Sequence, residues 1–196
     1  QSIQEHRDLL EAFRKRDAAL AERLMKRHLL KQCEALVGLY KKNRGEILIR
    51  GKQINITNPM RAAELGIGMV FQEGCLIPNL NVAENIFLCH EKRFKKNGLI
   101  SMYEMYKEAK RQLKKLNLNI DPMTYVYDLS KVSQQMVEIV RLLWVTSIYS
   151  IENPILILDE PTTVLLSNEI NRLFNILKYL KERVSIIFIS HRLEEV

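Results

Sequence analysis

Residues 154–163 read PILILDEPTT: four apolar residues run into Asp159 and Glu160, and Pro161 stops the run. An apolar run of this length ending on charge is the pattern of a buried parallel strand that delivers side chains to the carboxyl edge of a sheet. Two adjacent carboxylates at such an edge suit phosphoryl chemistry. The first would hold Mg²⁺, which prefers oxygen ligands, and the second would polarise an attacking water. A site of that kind also needs backbone N–H groups and a lysine around the phosphates, as the string G-x-x-x-x-G-K-[ST] supplies them. That string does not occur in these 196 residues. Its nearest imitation, GEILIRGK at 45–52, has one residue too many between the glycines and Gln53 where Ser or Thr is required. Its β-branched residues alternate about Arg50-Gly51, which predicts a β-hairpin.

The elements that must position the acids follow from periodicity and caps. Residues 3–33 predict two helices, with Leu9, Leu10 and Phe13 on one apolar face and Leu20, Leu24, Leu29 and Leu30 on another. Pro59 opens a short helix over 59–66, and IGMVF (67–71) is a strand ending at Gln72. Asn81 caps a helix over 81–88. Ser101, with Glu104 three residues on, caps one running to Leu116. Ser130 opens another to about Val145. Strand 155–158, helix 168–182 and strand 184–190 then alternate, which implies a parallel sheet with a right-handed crossover. The fold class is α/β.

Four segments stand in one order: Gln72 after a strand, LSKVSQQMVEIVRLL from Leu129, ILILDEP from Ile155, and IIFISH ending at His191. Together they resemble the ATP-binding subunit of ABC transporters, most nearly that of monosaccharide (ribose/galactose-type) importers, where two cassettes are fused in tandem. GIGMVFQEGCLIPNLNVAENIFL (66–88) looks like the first cassette of such a pair, and QQMVEI (134–139) is typical of the group. The resemblance implies a partial nucleotide-binding domain over 36–196, with an incomplete P-loop-type sheet and a helical subdomain at about 90–145. It also implies ATP and Mg²⁺ as cofactors, with Asp159 and Gln72 toward the metal, Glu160 as general base and His191 at the γ-phosphate. Ser130 and Gln135 would face the nucleotide of a second cassette. Lys131 and Ser133 depart from the importer pattern. The implied partners are membrane permease subunits and that second cassette, on the cytoplasmic face of the plasma membrane.

The same resemblance places the phosphate-binding loop just before VGLYKKNRGEI, with its lysine near Leu29, where this chain reads LMKRHLLKQCEAL. The strand preceding that loop is missing too, so strand 155–158 is expected to lose ladder partners and ATP hydrolysis to be impaired. Residues 5–30 instead resemble the last two helices of the ligand-binding domain of GntR-type regulators (the FadR C-terminal kind). Relatives of that domain bind a metal through histidines and an acid. His6 and His28 would approach each other at the open ends of the hairpin 1–35, but two histidines are too few for a closed site.

Composition bounds these readings. Hydrophobic residues make up 47% and charged residues 27%, a globular profile. The net charge of +7 is read as a solvated surface, with its cations scattered along helices, so no nucleic-acid partner is expected. Cys33, Cys75 and Cys89 show no metal-ligand spacing, and reduced thiols are the expectation. No apolar stretch approaches the ~20 residues of a membrane span. The chain starts at Gln1 rather than Met, and both ends read as cuts. Two other readings stand beside the ATPase: a fragment of a regulator's effector domain, and an interaction protein that docks a permease or a complete cassette without hydrolysis.

Overall fold

The structure, a computed structural model, describes residues 46–96 and 98–190 together with positions 11, 37 and 38. Position 11 apart, the predicted helical hairpin with His6 and His28 lies outside the described residues, as do the segment 24–36 expected in place of the phosphate-binding loop and His191.

The first two strands, β1 (Ile47–Ile49) and β2 (Lys52–Ile54), pair antiparallel with Ile49 opposite Lys52. Arg50 (φ 51°) and Gly51 (φ 73°) close the turn in the left-handed region, as a two-residue hairpin matched to strand twist requires. GEILIRGK is therefore a hairpin, as its spacing predicts.

Helix α1 (Pro59–Glu64) begins on the Asn58 side chain, which accepts the Arg61 N–H at 2.8 Å. β3 (Ile67–Val70) is buried throughout. α2 (Val82–Ile86) starts on a capping box in which Asn81 and Glu84 exchange bonds, so the predicted cap holds. A two-residue pair, β4 (Lys95–Lys96) and β5 (Leu99–Ile100), leads into α3 (Met102–Lys115), capped by Ser101 as predicted. α4 (Lys131–Ile148) is capped by Ser130. β6 (Ile155–Asp159), α5 (Ser167–Leu180) and β7 (Ser185–Ile189) complete the order.

Strands β3, β6 and β7 form one parallel sheet in the order β3-β6-β7. Val70 lies opposite Leu158, and Asp159 opposite Ile189. The expectation that strand 155–158 would lose ladder partners is overturned. β6 is the central strand and is bonded on both edges, because the α5 crossover returns β7 directly beside it. Its side chains alternate between two cores. Leu156 and Leu158 pack with α2, α3, α4 and α5 through Ile86, Phe87, Met136, Ile139 and Leu173. Ile157 packs with Ile56, Ala62 and Met69 toward the hairpin and α1. Among the described residues no helix is long and apolar enough to cross a membrane.

Candidate functional site

Parallel register brings the predicted residues to one edge. Val70 pairs with Leu158 near the ends of both strands, and Gln72 and Glu160 each follow two residues beyond that pair. Asp159 and Glu160 are each only 4% exposed, whereas Gln72 is exposed. Glu160 adopts φ 45°, unusual for a residue with a Cβ, and its surroundings over-determine it. Its N–H donates to the Ile189 carbonyl at 2.8 Å, and its carboxylate accepts the Thr163 hydroxyl at 3.2 Å. The turn that aims the second acid is thus tied to the neighbouring strand.

The loop bearing Gln72 is pinned by two buried polar side chains. Gly74 (φ 73°) donates its N–H to the Phe71 carbonyl at 3.0 Å, folding the chain back. The next N–H, of Cys75, donates to Glu138 Oε1 of α4 at 2.6 Å. Glu138 is 3% exposed, and burial holds its carboxyl above the usual carboxylate range. A Cβ on Gly74 would lie 3.1 Å from Glu138 Oε1, so the loop approaches α4 closely there. The Cys75 thiol is pushed up to about 11, by desolvation first and by the Glu138 charge second. Further along, the fully buried Asn85 accepts the Ile77 N–H at 2.8 Å and donates to the carbonyls of Ile77, Leu80 and Asn81.

Helix α4 therefore joins three parts of the site. Its N-cap Ser130 is exposed and accepts the Ser133 N–H at 3.3 Å. One turn on, Gln135 donates from Nε2 to the Pro161 carbonyl at 2.6 Å, next to Glu160. A further turn on, Glu138 holds the loop after Gln72. The resemblance groups Gln135 with Ser130 toward a second cassette's nucleotide, whereas the structure turns its amide onto the chain's own acidic turn. Lys131 is exposed and reaches Gln134 Oε1 at 3.4 Å. Glu138 and Asn85 escaped the sequence reading. The one available signal for Glu138 is a lone charge inside the apolar run MVEIV, at a position that helical periodicity buries.

Among the described residues no group of three or more His, Cys, Asp and Glu is placed to hold a metal. A buried acid at a strand end fits instead the manner in which Mg²⁺ is usually held, by one or two carboxylates with water and substrate phosphates completing its shell.

Residues 32–163 match the model of the family described as ABC transporter, and residues 1–31 match that of the FCD domain, which agrees with the regulator-like reading of residues 5–30. The ribose import ATP-binding protein of Geobacillus kaustophilus is 37% identical over 83% of this chain and 32% of its own length. The corresponding protein of Rubrobacter xylanophilus is 40% identical over 82% of this chain and 31% of its own. The chain thus spans about a third of the length of these relatives. Among solved structures, a nucleotide-free ATP-binding cassette superposes with a TM-score of 0.67 at 21% identity, covering 85% of this chain and 67% of that one. A dimeric cassette in a post-hydrolysis state with ADP and phosphate gives 0.62 at 27% identity, covering 84% and 70%. The order of motifs, the parallel β3-β6-β7 sheet with both acids at its carboxyl edge, and these similarities agree: the chain belongs to the ABC transporter family.

Proposed function

We propose that this chain is a partial ATP-binding cassette of a carbohydrate importer, impaired in hydrolysis by the absence of a phosphate-binding loop from its sequence. The observation that carries this is the carboxyl edge of the sheet, where Asp159 ends β6, Glu160 follows it and Gln72 follows the neighbouring β3, in a chain related to ribose import ATP-binding proteins. Bound Mg²⁺ would neutralise charge on the phosphates of ATP. Asp159 and Gln72 are the residues that would hold it, because a carboxylate and an amide oxygen are hard ligands. Glu160, fixed by Ile189 and Thr163, would take a proton from the attacking water, with His191 as its γ-phosphate partner. Ser130, at the exposed start of α4, would meet the nucleotide of a second cassette through the N–H groups and dipole of the helix. Permease subunits of the importer would place the assembly on the inner face of the plasma membrane.

A titration with a fluorescent ATP analogue in Mg²⁺ tests the division of labour. Asp159→Asn weakens whatever nucleotide binding the chain retains, and Glu160→Gln spares it, because holding the metal and activating water are separate tasks. The opposite pattern rejects these roles.

The missing G-x-x-x-x-G-K-[ST] string favours a second reading, in which the chain serves another cassette without hydrolysing ATP itself. Phosphate release that rises when a complete cassette is added, and falls with Ser130→Ala, separates this reading from an isolated enzyme.

A further inference from the structure

The excess positive charge of this chain is not spread evenly. Residues 91–115 hold nine Lys and Arg against three Glu, a net +6 of the chain's +7. In sequence these cations look scattered along helices; the fold gathers five of the nine around one cleft. The cleft, of about 620 Å³, lies between the β4 strand and α3, with Arg93, Lys95, Lys96, Lys107 and Arg111 on its walls and Phe94 and Trp144 behind them. Two of the five cations are spent on the acids of the lining, since Lys96 pairs with Glu104 and Arg111 with Glu108, each at 2.8 Å. Arg93, Lys95 and Lys107 form no ion pair with another described residue.

The rim of this cleft is apolar and wet. Leu99 is 77% exposed and Tyr103 72%, and Ile100 and Met102 are also exposed. Leu99 pairs across the β4–β5 ladder with Lys96, and Ile100 with Lys95, so these two residues each stand beside a cation. Four exposed apolar side chains thus stand within five residues, whereas the buried contacts of α3 run through Met105, Ala109 and Leu113.

We propose that this cleft and its hairpin rim form a contact site for an anionic phospholipid surface. Arg93, Lys95 and Lys107 would take headgroup phosphates, and Leu99, Ile100, Met102 and Tyr103 would enter the boundary between headgroups and acyl chains, where aliphatic residues and tyrosine are both stable. Charge complementarity sets the sign of the partner, and the aliphatic rim sets its kind. A free phosphate compound uses only the cations and leaves the rim in water. A nucleic acid would use the cations and Tyr103 but leave Leu99, Ile100 and Met102 in water.

The test is co-sedimentation of the full chain, without nucleotide, with phosphatidylcholine vesicles that contain or lack phosphatidylglycerol. Binding is expected only where phosphatidylglycerol is present, and it weakens as salt is added. Each lysine removed costs about fivefold in affinity, so Lys95→Glu with Lys107→Glu abolishes sedimentation. Leu99→Asn with Tyr103→Ser weakens it at unchanged charge. All four positions are at the surface, and unchanged thermal midpoints confirm that the variants fold. Three results overturn the proposal: no sedimentation with phosphatidylglycerol vesicles, binding indifferent to the Leu99 and Tyr103 changes, or equal-strength displacement by a single-stranded oligonucleotide at matched charge. Because no ATP is involved, its failure would leave the nucleotide roles of Asp159 and Glu160 untouched.

Discussion

Replacing Glu138 by alanine takes away the acceptor that holds the loop after Gln72. The Cys75 N–H then loses its 2.6 Å partner, and a donor left unsatisfied in a part-buried place costs about 1–3 kcal/mol. For a chain of this size that is a fall of roughly 2–12 °C in midpoint. Glu138→Gln behaves differently, because its amide oxygen can accept the same N–H while the buried charge is gone. The sign with pH follows from the carboxyl being raised above its ordinary 4.5, mainly by burial, against the smaller opposing pulls of the Cys75 N–H and then of Arg141. A raised acid contributes stability that is full below its unfolded value and is lost as pH rises through its folded value. Wild type therefore loses stability at this site as pH rises above the carboxyl's ordinary 4.5, and the Gln variant does not. Urea unfolding of the three proteins at several pH values within that window is the assay. An Ala variant as stable as wild type, or a Gln variant whose pH profile runs parallel to wild type, refutes the clasp.

Two further outcomes concern the same loop. Gly74→Ala places a Cβ at φ 73° and 3.1 Å from Glu138 Oε1, so it destabilises by about 1–2 kcal/mol, read as a lower urea midpoint; an unchanged midpoint contradicts the close approach. With Cys33 and Cys89 replaced by serine, maleimide alkylation of Cys75 is slow at neutral pH and rises only as pH nears about 11, whereas Glu138→Gln moves that rise to lower pH.

Features governed by local chemistry were legible in the sequence. The Asn81, Ser101 and Ser130 caps, the hairpin at Arg50-Gly51 and the strand carrying Asp159 each depend on a few neighbouring residues, and each stands where its residues imply. Strand order was not legible, because which edge of β6 receives β7 is decided by the path of the α5 crossover, and the predicted loss of ladder partners failed on that point. Glu138 was missed, and the bond of Gln135 to Pro161 was not foreseen, for a related reason. Their bonds join residues 63 and 26 positions apart, and no periodicity reports a partner at such a distance. The gathering of cations around the cleft likewise exists only once β4 and α3 are folded against Trp144.

On the function proposed above, Asp159 and Glu160 stand at the sheet edge of a partial sugar-importer cassette whose sequence lacks the G-x-x-x-x-G-K-[ST] means of holding phosphates. Losing a single preorganised donor typically slows such chemistry about 10²–10³-fold, and here the sequence lacks the lysine, the metal-binding hydroxyl and the N–H nest of the loop together. Phosphate release by the purified chain at saturating Mg-ATP, with Glu160→Gln as the blank, measures this directly. The account predicts turnover indistinguishable from the blank. Turnover clearly above it would mean that another segment of this chain holds the phosphates, and would contradict the account.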